Sequence, residues 1–170
     1  MTCTITSQGF ELLLAMDLVS PERFPKNALS VLKCNLLEIL WSLIQNGYTD
    51  FYTNAEYGIP LWTAEMICAL KMYHKDLHLY LVIPYEEHYT AWKPEIREKY
   101  LRIRSQADGF AYADITQSPK NIEKANHIMC DSSDLLVIFG TRSTNQSMVS
   151  YAGMQDVPVF SLLWENLLIP

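Results

Sequence analysis

The chain has 170 residues, of which 49% are hydrophobic and 19% are charged, and its formal net charge is -6. This composition excludes intrinsic disorder and provides enough apolar material for one domain, residues 1–170, with a core covered on both sides. Binding to the phosphate backbone of nucleic acid needs a basic surface. The acidic chain has no long Lys/Arg cluster, so sequence-general nucleic-acid binding is disfavoured.

The distribution of apolar residues and cysteines predicts a cytoplasmic protein that does not enter a membrane. Residues 1–6 lack the positive and apolar regions of a signal peptide, and no stretch reaches the roughly 18 consecutive apolar residues of a membrane span. Cys3, Cys34, Cys68 and Cys130 are far apart, which predicts reduced thiols. Zinc ligation needs closer Cys/His spacing, so no metal site is predicted.

The first half of the chain alternates short strands with long helical patterns. Residues 3–6 form a short first strand, and the amphipathic pattern over 27–46 predicts a helix that Gly47 ends. Aromatic and β-branched residues over 48–53 predict the second strand. Pro60 suits the first turn of a helix that continues to residue 73, and the apolar run 77–83 predicts the third strand.

The second half continues the alternation. Pro94 opens a helix, and Ser118-Pro119 is a side-chain cap followed by proline that predicts another helix to about residue 130. The remaining predicted elements are strands over 109–112, 135–139 and 157–162, and a helix near 144–153. Strands alternating with helices predict a three-layer, Rossmann-like α/β fold, with a mostly parallel sheet of about six strands and helices on both faces.

The loops that follow the strands are the predicted ligand-binding region. In an open parallel sheet, ligands bind outside the carboxyl ends of the strands, where the strand order reverses. The polar or turn residues at these ends are Thr6, Ser7, Gln8, Thr53, Asn54, Glu56, Gly58, Pro84, Gly140, Thr141, Ser143, Thr144, Asn145 and Gln146.

The loop after the fifth strand, residues 140–147, has two interpretations. Free N–H groups and hydroxyls at a helix start bind phosphate or other anions, and Arg142 could add a charged contact. Alternatively, the Ser and Thr side chains are an ordinary helix cap. GxGxxG and P-loop lysine motifs are absent, which argues against standard dinucleotide dehydrogenases and P-loop hydrolases, and no cofactor is predicted.

Isolated carboxylates and tryptophans near these loops also have two interpretations. Glu56, Glu65 or Asp131 could hold a ribose hydroxyl, or could be a cap or a solvated side chain. Trp62 and Trp92 could stack on a base, or could be core aromatics, which is the better interpretation for Trp62. The apolar tail 164–170 could contact the domain or a second subunit in a homodimer.

Residues 50–65, DFYTNAEYGIPLWTAE, resemble the signature turn of YpsA-like proteins, a branch of the SLOG superfamily related to the LOG and DprA proteins. Further matches, including Trp92, extend the likeness over residues 48–162. The resemblance implies a Rossmann-like fold and a nucleotide-derived ligand. The positions that match the family pattern near this ligand are Thr53, Gly58, Trp62, Glu65, Asn126 and Asp131.

The chain departs from that family where a ligand would touch the backbone. The family's Thr-Gly-His-Arg after the first strand is Thr6-Ser7-Gln8-Gly9, and its paired glycines after the second strand are Asn54 and Ala55. The family's aspartate in the same turn is Pro60, and the glycine pair and threonine of the late loop are Thr144, Asn145 and Gln146. Side chains therefore stand where backbone was bare, so a phosphate could not approach as closely.

Three functions remain open from the sequence. The first is non-catalytic binding or sensing of a nucleotide-derived small ligand. The second is N-glycosidic hydrolysis, with Glu65 or Glu56 as acid/base, although the LOG hydrolase motif has no counterpart here. The third is a degenerate domain that serves protein–protein interaction. Sensing depends on an open hollow of backbone amides, so side chains of Asn54 and Asn145 that filled this hollow would argue against it.

Overall fold

A computed structural model describes residues 1–8 and 28–163. These residues form six strands and five helices, and every predicted strand and helix is confirmed. In chain order the elements are β1 (Thr2–Ser7), α1 (Ala28–Gln45), β2 (Asp50–Thr53), α2 (Ile59–Leu70), β3 (His78–Ile83), α3 (Pro94–Gln106), β4 (Gly109–Tyr112), α4 (Asn121–Asp131), β5 (Leu135–Gly140), α5 (Arg142–Met154) and β6 (Val159–Leu163). Gly9 and the predicted contact of the tail 164–170 lie outside the described residues.

The strands form one parallel sheet in the order β4-β3-β2-β1-β5-β6. The chain builds outward from β1 to β4, then returns to the other side of β1 to add β5 and β6. The strand order therefore reverses between β1 and β5, where Ile5 pairs with Val137. In open parallel sheets, the crevice that ligands use lies outside the carboxyl ends of the strands at such a reversal.

Helices cover both faces of the sheet, as predicted. Helices α1, α2 and α3 pack on one face in the main core, and α4 and α5 pack on the other. Strand β5 contributes to both cores, since Val137 and Phe139 lie in the first while Leu136 and Ile138 lie in the second. A strand buried on both faces cannot alternate apolar and polar residues, which explains its continuous apolar run. Among the helices of the described residues, none is long and apolar enough to cross a membrane.

The predicted start of α4 is displaced by the turn that precedes it. Ser118 does not cap the helix; its hydroxyl accepts from the Lys120 amide at 3.3 Å and its carbonyl from the Asn121 amide at 3.1 Å. Ser118-Pro119 therefore forms a turn, and the helix begins at Asn121.

The boundaries of α5 and β6 also differ from prediction because of local hydrogen bonds. A cap at Thr141 starts α5 at Arg142 rather than near residue 144. The Val157 amide donates to the Ala152 carbonyl at 2.9 Å, and Asp156 has a φ of 56°. Val157 therefore belongs to the turn that ends α5, and β6 begins at Val159.

Asp108 joins three elements on the β4 side of the sheet. Its carboxylate accepts from the Leu79 amide at 2.7 Å and forms an ion pair with Lys71, and its own amide donates to the Leu79 carbonyl at 2.8 Å. Burial raises the pKa of the Asp108 carboxyl, but the Lys71 and Leu79 hydrogen bonds outweigh it and hold this pKa below its ordinary value. The ionised carboxylate therefore stabilises the fold.

We expect Asp108→Asn to lower the free energy of unfolding at pH 7 by about 1 kcal/mol, because the charged acceptor is lost. The stabilisation from a lowered pKa is present above the ordinary carboxyl pKa and is lost as the pH falls through the lowered value. The free energies of unfolding in urea of the wild type and the variant should therefore differ at pH 7 and become equal in acid. Asp76→Asn, at an exposed position before β3, is the control. A difference that persists unchanged in acid would contradict this account.

Candidate functional site

A buried hydrogen-bond network lies at the carboxyl edge of the sheet. Asn126 Oδ1, on α4, accepts from Thr6 Oγ1 of β1 at 3.0 Å and from Asn54 Nδ2, after β2, at 3.0 Å. Asn54 Oδ1 in turn accepts from the Glu56 amide at 3.0 Å. Thr6, Asn54 and Asn126 are at most 1% exposed. One helix, one strand and one turn are thus held together by side chains next to the crevice.

The turn between β2 and α2 keeps a backbone shape that suits glycine. Ala55 has a φ of 54° and Gly58 a φ of 108°. A left-handed conformation costs a residue with a side chain about 1–2 kcal/mol. Thr53 Oγ1 donates to the Pro60 carbonyl at 3.2 Å and closes the turn from within. The conformation of Ala55 is therefore maintained by its surroundings rather than by its own preference.

The loop after β5 is a helix cap. The Thr144 amide donates to Thr141 Oγ1 at 3.1 Å, and the Thr141 amide donates to Thr144 Oγ1 at 2.8 Å. These reciprocal bonds use amide donors that an anion would otherwise meet at the start of α5. The cap interpretation of Thr141 and Thr144 is the one that the structure shows.

Asn145 packs against the end of β5. It is 1% exposed, and its Nδ2 donates to Ser161 Oγ of β6 at 3.2 Å. A methyl group at Gly140 would overlap Asn145 Oδ1, so any larger residue there would force the Asn145 side chain to move. Asn145 Oδ1 and Asn126 Nδ2 are buried and have no hydrogen-bond partner among the described residues.

Asn54 and Asn145 thus occupy the two places where the crevice would expose bare backbone. Both side chains are buried. The structure therefore places a buried amide side chain at each of these two positions. Any ligand at this edge must be recognised mainly by side chains.

The structure brings other predicted residues to the same edge with their side chains accessible. Ser7, Gln8, Glu56, Thr141 and Thr144 are half-buried, whereas Ser143 and Gln146 are exposed. Because the carboxyl ends of β1, β2 and β5 are neighbours, these polar groups lie along one stretch of that edge. Gly140 and Gly58 are buried beneath them.

Two predicted carboxylates lie away from the crevice. Glu65 faces α3, where its carboxylate pairs with Lys99 Nζ at 2.9 Å. Asp131 ends α4, which runs antiparallel to the strands, so it lies at the amino edge of the sheet and accepts from the Tyr151 hydroxyl at 2.8 Å. Neither side chain joins the polar cluster around Asn126.

The predicted aromatic ligand contacts belong to the core. Trp62 is 6% exposed, lies in the main core, and has Lys33 Nζ at 4.6 Å from its ring centroid. Trp92 packs its ring against His88 at 5.0 Å and Tyr100 at 5.7 Å between centroids. Pro84 is buried at the end of β3.

Sequence reasoning missed Ser161 and His88. Ser161 meets Asn145 only because β6 pairs with β5, and no local pattern marks that contact. His88 lies one residue beyond the loop 84–87 that follows β3, inside a segment rich in aromatic residues, and that richness was an available signal. The described residues contain no group of three or more His, Cys, Asp or Glu side chains placed to hold a metal ion.

The sequence model of the family described as the YspA SLOG family, YpsA, matches residues 23–158. This chain belongs to the YpsA family of SLOG proteins. Curated relatives carry the name UPF0398 protein. The Bacillus anthracis protein is 32% identical over 103 residues, which is 58% of this chain and 54% of the relative. The Staphylococcus haemolyticus protein is 27% identical over 109 residues, which is 63% of this chain and 58% of the relative. The chain spans about half the length of the curated relatives it matches.

Membership of the YpsA family confirms the resemblance seen in residues 48–162. The family's bare turn after β2 carries Asn54 and Ala55 here, yet its backbone still takes the left-handed conformation at Ala55. The turn of this chain therefore combines a left-handed residue with the buried amide side chain of Asn54.

We expect Asn126→Ala to lower the free energy of unfolding by about 2–4 kcal/mol, because the Thr6 hydroxyl and the Asn54 amide would stay buried without an acceptor. Denaturant unfolding measures the change. Glu123→Ala, at an exposed position on the same helix, should stay within about 0.5 kcal/mol of wild type. An equal, small effect of both substitutions would show that the network does not hold the edge together.

Proposed function

We propose that this YpsA-family domain binds a nucleotide-derived small ligand at the carboxyl edge of its sheet without changing it covalently. The observation that carries the proposal is the retained turn after β2, in which Ala55 keeps a φ of 54° at a cost. Backbone strain of this kind persists where the surrounding structure enforces it, and strained residues are frequent at binding sites. The accessible polar side chains of Gln8, Glu56 and Thr141 around the turn support the same conclusion.

Recognition by side chains distinguishes this domain from one with a bare glycine turn. Asn54 and Asn145 are buried amide side chains, and the Thr141 cap uses amide donors at the start of α5, so we expect a phosphate to gain little there. Amide and hydroxyl side chains instead suit the hydrogen-bonding edges of a base or a ribose. The nucleoside part of the ligand should therefore provide most of the affinity.

The absence of catalysis is part of the proposal. Glu65, a candidate acid/base for hydrolysis, pairs with Lys99 and faces α3. Glu56 is the predicted carboxylate that remains at the edge, and it is half-exposed.

The test is a thermal-shift panel of adenosine, AMP, ADP-ribose and NAD on wild type and on Asn145→Gly. A ligand at 100 times its dissociation constant should stabilise the wild type by about 2.7 kcal/mol. In wild type, adenosine and AMP should give similar shifts. In Asn145→Gly the amides beside Gly140 are uncovered, so AMP should give the larger shift.

Ser150→Gly is the matched control, because it also places glycine in α5 but at an exposed position. Both variants should lose about 1 kcal/mol of helix stability, and only Asn145→Gly should gain a preference for phosphate. A wild type that no member of the panel stabilises would refute ligand sensing.

The filled crevice favours a second candidate, a domain kept for interaction with protein. A groove of about 590 Å³ lies between α1 and the edge strand β6, and Ile39, Leu43 and Leu162 line it. Phe160, which is 48% exposed, completes this apolar wall. Exposed apolar patches of this kind mark protein contacts.

For that candidate, we expect light scattering to show an assembly that Phe160→Ser weakens, since the substitution removes apolar area from the groove. Phe110→Ser is the matched control, because Phe110 has the same 48% exposure on the opposite edge strand, β4. A monomeric wild type, or equal loss of assembly in both variants, would discard this role for the groove.

A further inference from the structure

Another cleft lies between the last turns of α2 and α3. Its volume is about 430 Å³, and its described walls come from the second half of α2 with the turn that follows it, and from the end of α3. Small-molecule sites commonly have volumes of about 300–1,000 Å³. Both helices run antiparallel to the strands, so this cleft lies at the amino edge of the sheet, opposite the Asn126 network.

Two ion pairs brace the cleft. Glu65 of α2 pairs with Lys99 of α3 at 2.9 Å. Lys71, after α2, pairs with Asp108, and its Nζ also donates to the Gln106 carbonyl at 3.3 Å. These contacts tie α2 to α3 and to the residue before β4. The cleft is therefore formed before any ligand binds, which lowers the entropic cost of binding.

Two further positive charges at the cleft are not balanced by a carboxylate. Lys75 and Arg102 line it from opposite walls and are exposed, and they form no ion pair among the described residues. An ammonium and a guanidinium beside one cleft attract a carboxylate or a phosphate, and the guanidinium can bond to two of its oxygens. In a chain with a formal net charge of -6, this is a local concentration of positive charge.

The remaining lining gives the cleft an apolar surface. Ile103 is buried and belongs to the main core, whereas Met72 is exposed at the rim. Cys68 is half-buried, and burial raises the pKa of its thiol although the charges of Lys71 and Arg102 lower it, so the thiol is uncharged at neutral pH. An inorganic anion would leave this surface in water, whereas an apolar chain would cover it.

We propose that this cleft binds a small organic anion in which a carboxylate or phosphate group carries a short apolar chain. Lys75 and Arg102 would bond to the anionic oxygens, and the chain would lie against Ile103 and Met72. The inference goes beyond the nucleotide site, because it uses other residues at the opposite edge of the sheet. Either proposal can fail while the other stands.

Titration of the full chain with hexanoate and with hexyl phosphate tests the proposal, with the methyl NMR resonances of Ile103 and Met72 as the readout. We expect saturable shifts of both resonances with at least one of the two anions. Hexylamine has the same chain with the opposite charge, and inorganic phosphate has the charge without the chain. Each should bind at least about tenfold more weakly than the better anion. Absence of a saturable shift with both anions, or equal affinity for either comparison ligand, would overturn the proposal.

Cys68 provides an independent readout. Cys3 and Cys130 are buried, so Cys34→Ser leaves Cys68 as the accessible thiol for the neutral reagent iodoacetamide. At ten times the dissociation constant about nine-tenths of the protein is bound, and modification of Cys68, followed by peptide mass spectrometry, should slow about tenfold. An unchanged rate at a concentration that saturates the methyl shifts would place the ligand outside the cleft and contradict the assignment.

Variants test the two unbalanced charges. Lys75→Gln/Arg102→Gln changes exposed side chains and should weaken binding of the anions by about tenfold or more, since charge-assisted hydrogen bonds are lost. Lys93→Gln/Arg97→Gln makes the same charge change at the start of α3, away from the cleft, and should leave the affinity unchanged. Equal affinity in the wild type and the first variant, or equal loss in both variants, overturns the proposal.

One further measurement distinguishes a free small molecule from a lipid surface. Phosphatidylglycerol vesicles present a phosphate together with apolar chains. Binding of the soluble anions without cosedimentation with these vesicles supports the proposed ligand. Cosedimentation that Lys75→Gln/Arg102→Gln abolishes, without binding of the soluble anions, would assign the cleft to a lipid surface and overturn it.

Discussion

The carboxyl edge of this domain depends on one side-chain oxygen, Asn126 Oδ1. It accepts hydrogen bonds from Thr6 on β1 and from Asn54 after β2, so it fixes α4 against two neighbouring strands at once. Unpaired, each of these buried donors would cost about 1–3 kcal/mol. That penalty is comparable to the strain at Ala55, which explains how the turn keeps a left-handed residue without glycine.

The same network decides how the crevice can recognise a ligand. A bare turn presents amide N–H groups, which bind any anion that fits. Here Asn54 and Asn145 are buried after β2 and β5, and the Thr141 cap uses amide donors at the start of α5. For the ligand that we propose, recognition would therefore depend on the geometry of amide and hydroxyl hydrogen bonds more than on charge.

The fold was predictable because short apolar or β-branched runs alternate with longer helical patterns, and the continuous apolar run of β5 already indicated burial on both faces. For the site, the sequence predicted correctly only that the residues directly after the strands lie at one edge of the sheet. Glu65 lies six residues into α2, about 9 Å along the helix axis, and therefore faces α3 instead of the crevice. Asp131 ends a helix that runs back to the amino edge. The contact between Asn145 and Ser161 depends on strand pairing, which no local pattern reveals.

The net charge of the chain acts in the same direction as these neutral side chains. A chain with a formal net charge of -6 repels phosphates, so an anion site must concentrate local donors to overcome its own field. The described residues at the ends of β2 and β5 are instead the neutral, buried side chains of Asn54 and Asn145. Neutral side chains at these positions add no attraction for phosphate. The sheet and the turn are held together by buried hydrogen bonds, which do not depend on the charge of a ligand.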